Sequence, residues 1–254
     1  MNKHRIHFIF YGFFIVLVMF SKIYADTITP NQGTIKKSAL VMIEFQREWI
    51  GPDGKLTKLM KDTAQFENSK KQAQTALRAA RKSGMPVVHV GLFLNGNYEG
   101  LGGDHAKYGL RNVIQKYGTW KENGCRFAEG FEPHSNEFVV QGRLGGSAFA
   151  GSNLDSYLRN NQINRIYLAG YALHVCVEST LRDGHDRGYE VILLEDATSA
   201  FTSEQRDYVL KNVVHHFGAY SSVEKFTASI SVSKKLTSRK KFKSFTLQRC
   251  KKIL

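Results

Sequence analysis

The chain has 254 residues, 42% of them hydrophobic, which is enough apolar material for one sizeable core and too little for two. Its formal net charge of +14 sits at the ends: nine Lys and Arg with no acid beside them follow residue 233, three precede Asp26, and +2 remains for residues 26–233. A nearly balanced interior without a basic stripe of interleaved aromatics excludes a nucleic-acid enzyme, and three cysteines, Cys125, Cys176 and Cys250, are too few for a disulfide scaffold.

Taken in order, the chain opens with Lys3 and Arg5, an uncharged run from Ile6 to Phe20, and the segment Ser21 to Ala25. This is the pattern of a signal peptide cleaved after Ala25, and it predicts export to the periplasm or beyond. The run falls short of the roughly 20 apolar residues of a spanning helix, which makes an uncleaved anchor the lesser alternative. Residues 26–37, with Pro30 and Gly33, read as a linker.

The continuous apolar run Ala39 to Ile43 predicts a central strand buried on both faces, ending on Glu44. A carboxylate at the end of a buried strand needs a partner or a purpose. Helical spacing of Phe66, Ala73, Ala76, Leu77 and Ala80 predicts a helix from about Thr63 to Lys82, and Val87 to Val90 gives the next strand. Residues 91–135, rich in Gly and Tyr, form a long irregular excursion, which inside an α/β domain reads as a lid or pocket wall. Asp104-His105 lacks metal-ligand spacing and reads as loop.

A strand over Glu137 to Val140 leads to Arg143, a Gly145-Gly146 turn, and a short helix capped by Ser152 that runs to Arg159 with Leu154 and Leu158 inward. The stretch from Ile166 to Asp196 reads as strand, helix, strand. Val177, Leu181 and Gly184 make the packed helix face, Gly188 makes the stop, and Cys176 lies in the first turn, where a helix dipole favours a thiolate. A helix from about Ser203 to His216 and a strand from Ala219 to Val223 precede a tail from Lys234. That tail reads as a solvated extension, with binding to nucleic acid or anionic lipid as the alternative. The alternation predicts a single three-layer α/β domain over residues 38–233, a mainly parallel, Rossmann-like sheet with helices on both faces.

In a parallel sheet the carboxyl ends of the strands share one edge, so Glu44, Arg143 and Cys176 are expected to meet there. An acid, a cation and a thiol form a nucleophile set: the acid takes the thiol proton and the thiolate attacks a carbonyl carbon. Two alternatives stand beside it. Cys176 is a small buried hydrophobe, or it pairs with Cys125 in an oxidising compartment.

The same residues resemble the isochorismatase-like cysteine hydrolases, a group that includes nicotinamidases and N-carbamoylsarcosine amidases. The likeness spans Ser38 to Val223. IEFQREW is similar to a strand ending in Asp followed by x-Gln-x-x-Phe, with Glu44 at the acid position and Gln46 matching. RLGGSAF is similar to a Lys four residues before Ser-Ala-Phe, with Arg143 at the Lys position and Ser147, Ala148 and Phe149 matching. GYALHVCVESTLRDGHDRGYEVILLEDA is similar to the segment around the family's nucleophile. The resemblance implies Cys176 as nucleophile and an oxyanion hole from the N–H groups of Ala172 and Cys176. It also implies a cis peptide at Tyr171–Ala172 and a homo-oligomer. Gln46, Phe149, Tyr171 and His174 are the residues expected to contact substrate.

Glu for Asp and Arg for Lys depart from the family pattern. A guanidinium is expected to compensate for the longer acid by binding it through two parallel N–H bonds. The zinc motif Asp-x-His of the nicotinamidase branch has no counterpart in VHVGLFLNGN, so neither a metal nor another cofactor is expected. The implied activity is hydrolysis of a small-molecule amide, ureide or related carbonyl compound. A silent relative that binds a metabolite or partner is the rival.

Overall fold

The computed structural model describes residues 37–94 and 96–231. The expected leader, all of the linker but Lys37, and the basic tail lie outside the described residues. Six strands form one sheet: β1 (Lys37–Ile43), β2 (Val87–Val90), β3 (Phe138–Val139), β4 (Ile163–Gly170), β5 (Glu190–Thr198) and β6 (Ala219–Ser221). Their order is β3-β2-β1-β4-β5-β6, and every neighbouring pair is parallel.

The continuous apolar runs follow from this placement. In β1, Leu40 and Met42 enter the core on one face while Ala39, Val41 and Ile43 enter the core on the other. Successive side chains alternate, so a strand covered on both sides needs apolar residues throughout. Against the first face pack α1 (Thr63–Ser83), through Phe66, Ala73 and Leu77, and a later helix over residues 223–231. The second face is covered by α3 (Leu154–Asn160), α4 (Glu178–Asp186) and α5 (Ser203–Asn212), through Leu154, Leu158, Leu181 and Val209. Between β2 and β3 the chain makes its long excursion, which carries α2 (Gly109–Tyr117).

Some boundaries differ from the sequence reading. Asn153 rather than Ser152 holds the N-cap position of α3, but the Ser152 hydroxyl still serves the helix start: it accepts from the Leu154 amide at 3.2 Å while donating to the Ala148 carbonyl at 2.6 Å. The helix expected to run to His216 ends at Asn212 and resumes over Val214–Phe217, a break that lets Val209, Val213 and Val214 all reach the core. Val223 ends no strand. It opens the helix over residues 223–231, called α6, whose Val223, Phe226 and Ile230 are buried. That i, i+3, i+7 pattern was readable.

From β1 the sheet is extended one way by β2 and β3 and the other way by β4, β5 and β6, so strand order reverses between β1 and β4. Such a reversal opens a crevice at the carboxyl edge, where open α/β sheets hold ligands. Ile43 pairs in register with Gly170. A Cβ on Gly170, whose φ is +138°, would lie 2.0 Å from the Ile43 carbonyl oxygen, so glycine is required for the two strands to leave the sheet side by side.

Candidate active site

Glu44 follows β1 directly, with φ +56°, a left-handed conformation that costs a non-glycine residue about 1–3 kcal/mol. Its amide donates to Val90 O at 2.7 Å, and its carboxylate turns into the crevice. Arg143, beyond β3, reaches the same point: Nη2 lies 2.7 Å from Glu44 Oε1. Cys176 comes in after β4 and lies close enough to both groups for each to act on its thiol, Glu44 against the thiolate and Arg143 in its favour. All three are buried, at 0%, 3% and 5% exposure. The convergence expected at the sheet edge is therefore present.

Three details differ from expectation. First, Arg143 does not grip the carboxylate with two parallel bonds. Its Nε donates to the Gly145 carbonyl at 3.0 Å, and Nη2 also donates to the Gly146 carbonyl at 2.7 Å. The loop after Arg143 curls around the guanidinium, and one edge of the fork is used on backbone rather than on Glu44. Second, Cys176 lies in a wide π-helical turn, Leu173–Val177, that precedes α4, with Val177 N donating to Ala172 O. Third, the thiol pKa is raised, not lowered. Burial penalises the thiolate most and the Glu44 charge adds to it, while Arg143 opposes them. Arg143 in turn is held above its ordinary pKa: burial works to lower it, but Glu44 and then Cys176 outweigh that. The resting site thus holds a neutral thiol beside an ion pair.

Thr180, one helical turn beyond Cys176, ties the segments together. Its hydroxyl donates to the Cys176 carbonyl at 2.7 Å and accepts from the Ala148 amide at 2.9 Å. Ser147 donates to Asp183 at 2.7 Å, so the Ser-Ala-Phe segment is pinned to α4 at two points. The Tyr171–Ala172 peptide is cis. Cys125 and Cys176 are both free thiols, and the alternative bridge between them is not formed.

Cys176 and Ala172 lie at the floor of a cavity of about 1120 Å³. Gln46, Phe149, Tyr171 and His174, expected to contact substrate, are not among the residues that line it, and each has a structural reason. Gln46 is fully buried and donates to the carbonyls of Leu92 and Cys125 while accepting from Leu92 N and Trp120 Nε1. Phe149 packs in the core, stacked on Tyr189. Tyr171 points into the opposite core, with its hydroxyl 2.9 Å from Ser69 Oγ. His174 stands behind Phe201, ring to ring at 4.5 Å, and burial lowers its pKa against the pull of Glu178.

The walls come instead from Trp49, Trp120, Phe201 and α2. Trp49 occupies the place of the Phe in the first signature, and its Nε1 donates to Glu44 Oε2 at 2.8 Å. The expected role of residues 91–135 as pocket wall agrees with the position of α2 and Trp120.

A parallel six-stranded α/β sheet that carries an acid, a cation and a thiol at its switch point defines a class, the cysteine hydrolases of α/β fold. The family model described as the isochorismatase domain matches residues 38–225. The chain belongs to the isochorismatase family of hydrolases. Among solved structures it is similar to a cysteine hydrolase from Pseudomonas syringae pv. phaseolicola 1448A, with 24% identity and a TM-score of 0.65, over 77% of this chain and 93% of that one. An N-carbamoylsarcosine amidase from Thermoplasma acidophilum aligns at 25% identity and a TM-score of 0.57, over 74% and 96%. An isochorismatase family protein from Desulfovibrio vulgaris subsp. vulgaris str. Hildenborough aligns at 20% and 0.65, over 77% and 99%.

Proposed function

We propose that the protein cleaves a C–N bond of an amide or ureide through a thioester on Cys176. The observation that carries this reading is the Cys176 thiol, which lines a cavity beside the buried Glu44–Arg143 ion pair. Glu44 takes the thiol proton as sulfur bonds to the substrate carbonyl carbon, and the carbonyl π electrons move to oxygen. The N–H groups of Ala172 and Cys176 hold that oxyanion. Its collapse expels the amine, which takes the proton from Glu44. A water then gives its proton to Glu44 and attacks the thioester, and the departing sulfur recovers the proton. Arg143 stays charged throughout and offsets a negative charge that moves from carboxylate to sulfur to oxygen. The likeness to an N-carbamoylsarcosine amidase supports the C–N bond as target.

Intact-mass analysis after mixing with a panel of amides and ureides tests this reading. An acyl or carbamoyl adduct is expected on Cys176, and it is lost in Cys176→Ala. A rival reading, a silent relative that only binds, is favoured by the raised thiol pKa. Ligand binding with no adduct and no turnover across the panel would establish the rival. The amino-terminal pattern supports export, and recovery of the chain from its source with Asp26 at the amino terminus is the expected result.

A further inference from the structure

The cavity is large for the compact metabolite that a small-amide hydrolase implies. A void of about 150 Å³ accepts benzene, and ligand pockets run to about 1,000 Å³; this one measures about 1120 Å³. Its lining is graded with depth. The inner part is buried and apolar, formed by Trp49, Leu92, Leu101, Ile114 and Trp120 around Cys176. The outer part is exposed and mixes apolar with basic side chains. Tyr108 and Tyr117, 89% and 60% exposed, stand with Lys55, Lys58 and Arg111, and among the described residues no acid lines the cavity.

We infer that the substrate is an amphiphilic anion: an amide or ureide with an extended apolar body whose carbonyl sits at Cys176 and whose anionic group, remote from that carbonyl, sits at the mouth among Lys55, Lys58 and Arg111. An apolar body fills the buried section, where a compact polar molecule would strand polar groups without partners. At the mouth, three cations without a lining acid attract an anion and repel a cation. The inference rests on the hydrolase reading for the amide, and on the cavity alone for the rest.

Both tryptophans of the chain, Trp49 and Trp120, line the cavity, so intrinsic fluorescence reports occupancy. The probes are the mono-anilides of succinic, octanedioic and dodecanedioic acids, with the methyl ester of the longest and the anilide of 12-aminododecanoic acid. Titration into Cys176→Ala protein separates binding from turnover. Affinity is expected to rise at least tenfold from the succinic to the dodecanedioic probe, and to fall about tenfold for the ester and further for the amine. The double variant Lys58→Gln/Arg111→Gln should erase most of the acid-to-ester difference at an unchanged melting temperature. Lys55→Gln is added last, because Lys55 Nζ also donates to the Gly118 carbonyl at 2.5 Å.

Equal binding of acid and ester, or no dependence on chain length, overturns the inference. So does an acid-to-ester difference that survives removal of the charges. If the wild-type protein forms no adduct with any probe while the ranking holds, the hydrolase reading fails and the amphiphile site stands. If compact amides acylate Cys176 and the long anions neither bind nor react, the reverse is true.

Discussion

Trp49 donates its indole N–H to Oε2 of Glu44 at 2.8 Å, while the other carboxylate oxygen lies 2.7 Å from Arg143. The extra methylene of Glu44, relative to the Asp of the family pattern, is thus accommodated between an indole and a guanidinium. Removing the indole donor leaves one oxygen of a buried carboxylate without its bond, which costs about 1–3 kcal/mol. Trp49→Phe is expected to move the acid limb of Cys176 alkylation to higher pH. Trp120→Phe, whose indole donates to Gln46 instead, should leave that limb in place. The measurement is the rate of iodoacetamide labelling of Cys176 between pH 5 and 9, and equal profiles for the two variants would refute a positioning role for Trp49.

Burial and the Glu44 charge raise the pKa of Cys176, so the unliganded thiol should react sluggishly near neutrality. An ordinary cysteine has a pKa of about 8.5, and its labelling rate levels off above that. For Cys176 the rate should still be climbing about tenfold per pH unit at pH 9. Arg143→Leu should slow it further at every pH, because Arg143 is the group that favours the thiolate. A plateau below pH 8 in the wild-type protein would refute this account of the resting site.

Thr180→Val preserves shape and removes the hydroxyl that joins Cys176 O to Ala148 N. A buried amide left without an acceptor costs about 1–3 kcal/mol, which urea denaturation would detect. Thr180→Ser should recover most of the loss. If Val is as stable as wild type and Ser carries the loss, packing of the methyl group rather than the bridge accounts for the position.

A second buried ionic group lies away from the crevice. Glu137 accepts from Arg81 at 2.7 and 2.8 Å and lies 2.8 Å from His89 Nε2. Burial works to raise the Glu137 pKa, but Arg81, then the His134 amide and His89, bring it down to about 2. A folded pKa below the unfolded value of about 4.3 contributes stability that is present above pH 4.3 and lost as pH falls towards 2, at most about 3 kcal/mol. His89, whose pKa burial lowers against Glu137, acts in the same direction at higher pH, since the unfolded chain takes up its proton first. Glu137→Gln should be less stable than wild type at pH 7, with the gap closing between pH 5 and pH 2. A constant gap across that range would remove Glu137 as its source.

The sheet and the meeting of Glu44, Arg143 and Cys176 were legible because they depend on local signals: continuous apolar runs, and polar residues placed just past their ends. The identity of the pocket wall was not. Gln46 looked like a ligand because its partners, Leu92, Trp120 and Cys125, lie in a segment without periodicity. Phe149 and Tyr171 belong to matching motifs, and motif membership does not distinguish a side chain that faces substrate from one that holds the backbone beneath it. The Cys176 pKa runs against the helix-dipole expectation because the position of a helix is readable in sequence while the depth of burial around its first turn is not. Trp49 does carry a signal in the sequence: it follows the acid within the same short motif, at a position the family pattern gives to an aromatic residue.

The amide of Gln46 has two donors and two acceptor lone pairs, and all four are engaged by the segment between Leu92 and Cys125. Glu48, in the same turn, accepts from the backbone amides of Lys55 and Trp120. Two side chains of a single helical turn, together with Lys55 Nζ on the Gly118 carbonyl, thus hold the segment that walls the pocket, mostly through its backbone groups, whereas Glu44, Arg143 and Cys176 sit at the strand ends and make none of these bonds. A wall attached in this way is exchangeable. The stretch from Phe93 to Tyr117 is the part that these bonds leave free to take another length and shape, provided that the same groups are presented at Leu92, Gly118, Trp120 and Cys125, so the pocket wall can diverge while Glu44, Arg143 and Cys176 stay where they are.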